Sequence, residues 1–268
     1  MDNKMSNNQE IKTETQFILS VLKHIIQFPW ILLMVAFGKK EPSELLNIYH
    51  EFTHFFKDAK VTYYLIIANV VIFLIEVFIL IPYWHLDYFV SSPENFYTYN
   101  FISMFSHMFL HASLMHLFGN MIFLFVFGRV TEKYLGTKQM LLVYFGAGII
   151  SHLISAGIFL NTGIGASGAI SGLVAAAILI RPFYLSYVLL GFPMPIFILG
   201  ILQMFGDFTG FLYPDPSSNV GHIAHLAGYA SIMITVFLLN PEQREEMKKG
   251  LNVNLLMIIL FIILNVMY

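Results

Sequence analysis

Residues 165–180 read Gly165-Ala166-Ser167-Gly168-Ala169-Ile170-Ser171-Gly172-Leu173-Val174-Ala175-Ala176-Ala177-Ile178-Leu179-Ile180. This run is uncharged, apolar and built from small side chains. A second apolar stretch carries Ala224-His225-Leu226-Ala227-Gly228. A hydroxyl and an imidazole therefore lie in segments greasy enough to sit in lipid. A polar group stranded in hydrocarbon is costly unless it finds a partner. Gly168 with Gly172, and Ala224 with Gly228, form small-xxx-small pairs that let helix backbones approach closely. The expectation is two lipid-embedded helices packed face to face, with Ser167 opposite His225.

Composition agrees with a membrane setting. Of 268 residues, 57% are hydrophobic and 11% charged, where a soluble domain carries about 25% charged residues. The mean hydropathy is +0.72. The chain has no cysteine, which excludes a disulfide framework, a Cys-ligated metal and a thiol nucleophile. A net charge of −2 with no basic stripe gives no reason to expect nucleic acid as a partner. Residues 1–16 are polar, with Asp2, Glu10 and Glu14. They lack the basic start and apolar core of a signal peptide and the Arg richness of a transit peptide, so no removal of the front end is expected.

Crossing ~30 Å of hydrocarbon takes about 20 apolar residues per helix. Six spans are expected near Val61–Trp84, Ser113–Val130, Gln139–Leu160, Gly165–Ile180, Leu185–Phe208 and Gly221–Leu239. A seventh, Leu251–Tyr268, follows a charged linker from Pro241 to Gly250. Phe17–Phe37 is apolar but holds Lys23, His24 and Pro29, which favours an interfacial helix over a further span. Lys39–Lys60 then reads as a polar linker. The fold class is all-α: a polytopic helical bundle with residues 1–60 as an N-terminal segment, 61–240 as a six-span core, and 241–268 as linker plus extra span.

If Lys57 and Lys60 lie inside and the spans alternate, the loops of about residues 83–112, 161–164 and 209–220 are outside. None of them contains Lys or Arg. The other loops hold Arg129, Lys133, Lys138, Arg181, Arg244, Lys248 and Lys249. With the N-terminal segment counted as interfacial, all 14 basic residues fall on one side, as the positive-inside rule expects.

That topology brings chemistry to one level. Spans two, four and six enter from outside, which puts Ser167 at a depth on the order of 5–10 Å at ~1.5 Å per residue. His225 lies at a similar depth, and span two adds His116 and Asn120 one turn apart on one face. A serine hydroxyl attacks once a base takes its proton, and neutral histidine suits that task. The Ser167 N–H, the Asn120 amide and the His116 ring could stabilise the resulting oxyanion. No intramembrane carboxylate sits beside His225 in sequence, so a Ser–His dyad is expected. Asp207, near the outer end of span five, is the only candidate third member, and a solvated helix-end aspartate is its plainer reading.

The chain resembles rhomboid intramembrane serine proteases in four elements. These are the run His111-Ala112-Ser113-Leu114-Met115-His116-Leu117-Phe118-Gly119-Asn120, Gly165-x-Ser167-Gly168, Ala224-His225-x-x-Gly228, and Glu132-Lys133-x-Leu135-Gly136. Their order and placement on the expected spans make the resemblance specific. It implies Ser167 as nucleophile, His225 as general base, and His116 and Asn120 at the oxyanion hole. Gly165, Gly168 and Gly228 are the implied close-packing positions. His107 and His111 would organise the first outer loop, and Glu132 would be a structural carboxylate near the inner side. Two departures stand out. Ile102-Ser103 occupies the place of a frequent Trp-Arg, and Ser171 stands where many relatives carry an aromatic four residues after the nucleophile.

The resemblance implies hydrolysis of peptide bonds in transmembrane protein substrates near the outer boundary of the membrane, with the plasma membrane as the expected location. No cofactor, metal or nucleotide is implied; membrane lipid is the expected surrounding. Three rival readings fit the sequence less well. Retention of Ser167 and His225 argues against an inactive client-binding relative. A His-box metalloenzyme built on His107, His111 and His116 lacks His-Glu-x-x-His and nearby carboxylates. A transporter would be expected to show inverted repeats.

Overall fold

A computed structural model describes residues 2–78, 87–186, 192–215 and 220–266. The chain is a bundle of apolar helices with almost no sheet, as expected for a helical membrane protein. Helix α1 (Asp2–Ala36) leads through a 3-10 turn (Pro42–Leu46) to α2 (Asn47–Phe55). The stretch expected as a linker is thus partly helical. It folds back because Phe17 of α1 stacks on Phe55, with ring centroids 4.0 Å apart. Phe56 and Phe125 complete that small aromatic core. Arg129 lies over the Phe55 ring at 4.1 Å, which ties the N-terminal segment to the bundle. By length and hydropathy Leu19–Ala36 suffices to cross a membrane.

The first core span, α3 (Lys60–Phe78), starts where a buried anion is waiting. The Glu132 carboxylate accepts the N–H groups of Val61 and Thr62 at 3.0 and 2.7 Å and the hydroxyls of Thr62 and Thr137 at 2.8 and 2.9 Å. Free N–H groups and the positive end of the helix dipole make this the natural seat for a carboxylate. The expected end of span one, after residue 78, falls outside the described residues.

Residues 87–113 form a folded loop before span two, on the side expected outside. It holds α4 (Pro93–Tyr97) and α5 (Ser103–Ser106), with Ser92 capping α4 through its hydroxyl. Span two is one continuous rod, α6 (Leu114–Phe123), a π-helical turn (Leu124–Gly128) and α7 (Arg129–Leu135). It runs further inward than the expected end at Val130 and stops at Gly136, whose φ of +90° suits glycine. Span three is α8 (Thr137–Gly157). Two of its glycines seat the outer loop. A Cβ on Gly148 would lie 2.1 Å from Met108 Sδ, and one on Gly157 would lie 2.6 Å from the Phe96 ring.

Span four, α9 (Ser167–Ile180), is the axis of the bundle, with Leu173, Val174, Ala176 and Ala177 fully buried. Its short side chains let α8, α10, α11 and α13 pack against it. After it, Leu185–Ser186 (β1) and Met194–Pro195 (β2) pair antiparallel, and only then does α10 (Ile196–Leu212) begin. Span five therefore starts at residue 196 rather than 185. An apolar run alone does not separate strand from helix. Span six comprises α11 (His222–Ala230), α12 (Ile232–Thr235) and a 3-10 turn (Val236–Leu238).

The final helix, α13 (Pro241–Val266), absorbs the charged segment expected as a linker. Gln243 donates to the Leu135 carbonyl at 2.7 Å and Met247 is buried, so that polar first half packs on the bundle, with the exposed pairs Lys248–Glu245 and Lys249–Glu246 adding only modest support. Leu202, Phe205 and Phe208 of α10, and Leu255, Leu256 and Ile259 of α13, are exposed. In a bilayer such outward faces meet acyl chains.

Candidate active site

Three helices converge at the end of the bundle that the distribution of basic residues leads one to expect outside. Ser167 is the first residue of α9, and Ala166 precedes it as the cap. The N–H groups of this first turn have no acceptor within the helix, so they point out with the positive end of the helix dipole. Gly165, with φ +118°, makes the sharp entry. Its N–H donates to the His107 carbonyl at 2.8 Å, and Ser91 and Gly163 exchange backbone hydrogen bonds of 3.0 and 2.8 Å. The outer loop thereby fixes the turn that carries Ser167.

Helix α11 lies directly against that turn. A Cβ on Gly228 would fall 2.2 Å from the Gly168 carbonyl oxygen and 2.8 Å from Ser171 Cβ. The Ser151 hydroxyl of α8 donates to the Ala224 carbonyl at 2.7 Å, and a Cβ on Gly168 would meet Ser151 at 2.6 Å. Ser167 adjoins Gly168, and His225 lies on α11 between Ala224 and Gly228, so both candidates border this contact.

Span two supplies the other wall. The Ser113 hydroxyl caps α6 by accepting the His116 N–H at 3.1 Å. The His116 ring covers Gly165, where a Cβ would stand 2.7 Å from its Nε2. The Asn120 amide donates to the His116 carbonyl at 2.9 Å and lies 3.7 Å from the same point above Gly165. The geometry thus gathers Gly165, His116 and Asn120 around the turn that leads into Ser167. One Asn120 N–H is engaged within its own helix, and an amide has a second.

His107 and His111 border this cluster from the loop: the His111 ring packs edge-on against His116 with centroids 5.1 Å apart, and the His107 carbonyl holds the Gly165 N–H. The His107 ring donates from Nδ1 to the Ser103 carbonyl at 2.7 Å and stacks on His152, whose Nδ1 pairs with Ser91 Oγ at 2.8 Å. Ser103 is itself buried and its hydroxyl bonds to the Asn100 carbonyl. The loop is therefore anchored by a Ser103–His107–His152 stack. Burial drives both His107 and His111 down to about 4, so these rings are neutral at physiological pH.

The main correction concerns Asp207. It is 5% exposed rather than solvated. Its Oδ1 pairs with Nδ1 of His225 at 2.7 Å and Nδ1 of His222 at 3.0 Å, and its Oδ2 accepts the Tyr229 hydroxyl at 2.7 Å. His222, His225 and Tyr229 fall at i, i+3 and i+7, one face of α11. Across from them α10 presents Asp207 and, one turn on, Gly210. A Cβ on Gly210 would strike the His222 ring at 2.3 Å. The sequence carried this signal as a stripe of three hydrogen-bonding side chains on span six and one acid on span five. What was missing was the pairing of those two faces. Ligand atoms of Asp207, His222 and His225 lie within 4.8 Å of one another, so among the described residues this trio could also hold a cation.

The profile of the Rhomboid domain matches residues 98–242, just over half of the chain. The chain belongs to the rhomboid family. It is 31% identical over 140 residues to "Rhomboid-like protein 11, chloroplastic" of Arabidopsis thaliana, covering 49% of this chain and 50% of that protein. It is 27% identical over 161 residues to "RHOMBOID-like protein 12, mitochondrial" of the same plant, covering 53% and 47%. It is 32% identical over 134 residues to "Putative rhomboid protease YdcA" of Bacillus subtilis, covering 48% and 62%. The chain thus spans about half to three-fifths of the length of these relatives. Two of the rhomboid relatives are named for organelles, so an integral membrane location stands while the plasma-membrane expectation has no support.

Proposed function

We propose that this rhomboid is an intramembrane serine endopeptidase with Ser167 as nucleophile and His225 as general base. The observation that carries the reading is the glycine-to-glycine contact of α9 and α11. It sets a hydroxyl at a helix N-terminus beside a helix whose imidazole is held by its Nδ1 edge. Ser167 Oγ attacks the scissile carbonyl carbon while His225 Nε2 takes its proton. The oxyanion is met by the first-turn N–H groups of α9, with Asn120 and His116 alongside. Collapse breaks the C–N bond, and His225 returns the proton to the leaving amine. Water then hydrolyses the Ser167 ester by the same proton exchange.

The substrate is a membrane-spanning protein cut near its outer boundary. A helix must unwind locally to offer an extended strand, so Gly or Pro near the cut favours cleavage. A small residue before the scissile bond is expected.

The test is cleavage of a fluorogenic single-span substrate in liposomes by wild type, Ser167→Ala and His225→Ala. Both variants are expected to lose cleavage while keeping the wild-type melting temperature. A fluorophosphonate should label wild type and fail to label Ser167→Ala. Equal turnover by all three proteins would remove the proposal.

A further inference from the structure

We infer that Asp207 is a positioning residue that converts the Ser167–His225 pair into a three-membered relay; the inference rests on the protease reading above. Its carboxylate is buried among the helices, and both oxygens have partners on α11. A carboxylate withdrawn from water is costly unless saturated by donors, so each of these contacts constrains the others. With Oδ1 2.7 Å from His225 Nδ1, that nitrogen carries the proton and donates it to the carboxylate. Nε2 is then left with its lone pair, the form a general base needs. When His225 takes the Ser167 proton, the positive ring forms against an anion already in place.

The other partners aim the carboxylate. Tyr229 holds Oδ2, and His222, seated in the gap left by Gly210, holds Oδ1 from the outer side. Tyr229 lies one turn after His225 and also neighbours Ser171. The Ser171 hydroxyl in turn donates to the Ser167 carbonyl at 2.9 Å. Support for the imidazole thus comes from α10 and from α11 itself. The residue four places after Ser167 is free to be a serine that links nucleophile helix to clamp.

Two other roles fit the same atoms, a latch that only fastens α10 to α11 and a cation site shared by Asp207, His222 and His225. The experiment separates them with the full chain in liposomes and the same single-span substrate. Asp207→Asn should lower kcat by on the order of 10²–10⁴-fold with KM within about threefold. The corresponding change in a serine protease triad costs about 10⁴-fold through the wrong tautomer. Asp207→Glu should regain at least about tenfold over Asn, and Tyr229→Phe should lose less than about tenfold. Nitrogen-15 spectra of His-labelled wild type should show His225 protonated at Nδ1, identified by its absence in His225→Gln; this holds even if Asp207→Asn does not fold.

Wild-type kcat in Asp207→Asn with a dead Ser167→Ala would overturn the inference and leave the protease reading standing. A rise in KM at constant kcat would overturn it in favour of a latch. Loss of wild-type activity in EDTA, restored by zinc, would overturn it in favour of a cation. Activity in Ser167→Ala would remove the protease reading instead.

Discussion

Gly228 faces the carbonyl oxygen of Gly168 so closely that a single Cβ on Gly228 would stand 2.2 Å from it. No real carbon occupies that space without moving α11 off α9. Since Ser167 and His225 flank this contact, the distance between the two helices and the proposed chemistry are set by the same pair of residues.

Gly228→Ala should therefore lose at least about tenfold in turnover and be destabilised by about 1–3 kcal/mol, the usual range for overpacking. Gly119→Ala is the matched control, because a Cβ there meets nothing within 4 Å. It should keep wild-type turnover and melting temperature. Thermal unfolding in detergent and liposome cleavage measure both.

Asn120→Ala should lower kcat by about 10–10³-fold with little change in KM, as expected for a donor felt only in the transition state. Unequal effects on the two constants, read from single-span substrate titrations, distinguish this from a packing defect. A KM change alone would place Asn120 in substrate binding.

Glu132→Gln should destabilise the fold without touching the outer site. The carboxylate accepts four hydrogen bonds from Val61, Thr62 and Thr137. An amide presents one oxygen and turns two N–H donors toward groups that also donate. Bonds to a charged acceptor are worth about 1.5–3 kcal/mol each, so a loss of about 2 kcal/mol or more is expected in unfolding titrations. Turnover per folded molecule should stay at the wild-type level.

Gly250→Val should detach the last helix. A Cβ on Gly250 would lie 1.7 Å from the Leu179 carbonyl oxygen, and four residues on, Asn254 donates to the Ile178 carbonyl at 2.9 Å. The seventh span is thus clipped to the inner end of α9. Limited trypsinolysis should cut Gly250→Val at Lys248 or Lys249 faster than wild type. Unchanged cleavage would mean that α13 stays docked despite the side chain.

Acid should weaken the outer loop. His107 and His111 are held down to about 4 by burial, against 6.5 when exposed. The unfolded chain then binds more protons between these values, so stability is full above about pH 6.5 and falls as pH drops toward 4. Unfolding midpoints of Ser167→Ala at pH 7.5, 6 and 5 should decrease in that order. His107→Phe should flatten the slope.

Much of this molecule was legible before any coordinates. Hydropathy depends only on the solvent the chain must cross, so the apolar helices could be read locally, and the placement of the 14 basic residues gives their expected direction. The Gly165–Gly168 and Ala224–Gly228 motifs were legible for a similar reason, since small residues beside a hydroxyl or an imidazole mark where helices must touch. Boundaries were less so. The apolar run after Leu185 conceals a short antiparallel strand pair before α10, and the charged segment from Pro241 is helical because Gln243 and Met247 dock it on the bundle.

Asp207 belongs to the tertiary structure alone. One acid near a helix end reads as solvated until the neighbouring helix is rotated into place. Only the packing of α10 on α11 shows that the stripe His222, His225 and Tyr229 converges on it. Sequence by itself determined that this is a rhomboid-type bundle with a hydroxyl and an imidazole on two of its helices. Whether a carboxylate stands behind that imidazole was decided by helix rotation, a long-range property that periodicity along one segment does not encode.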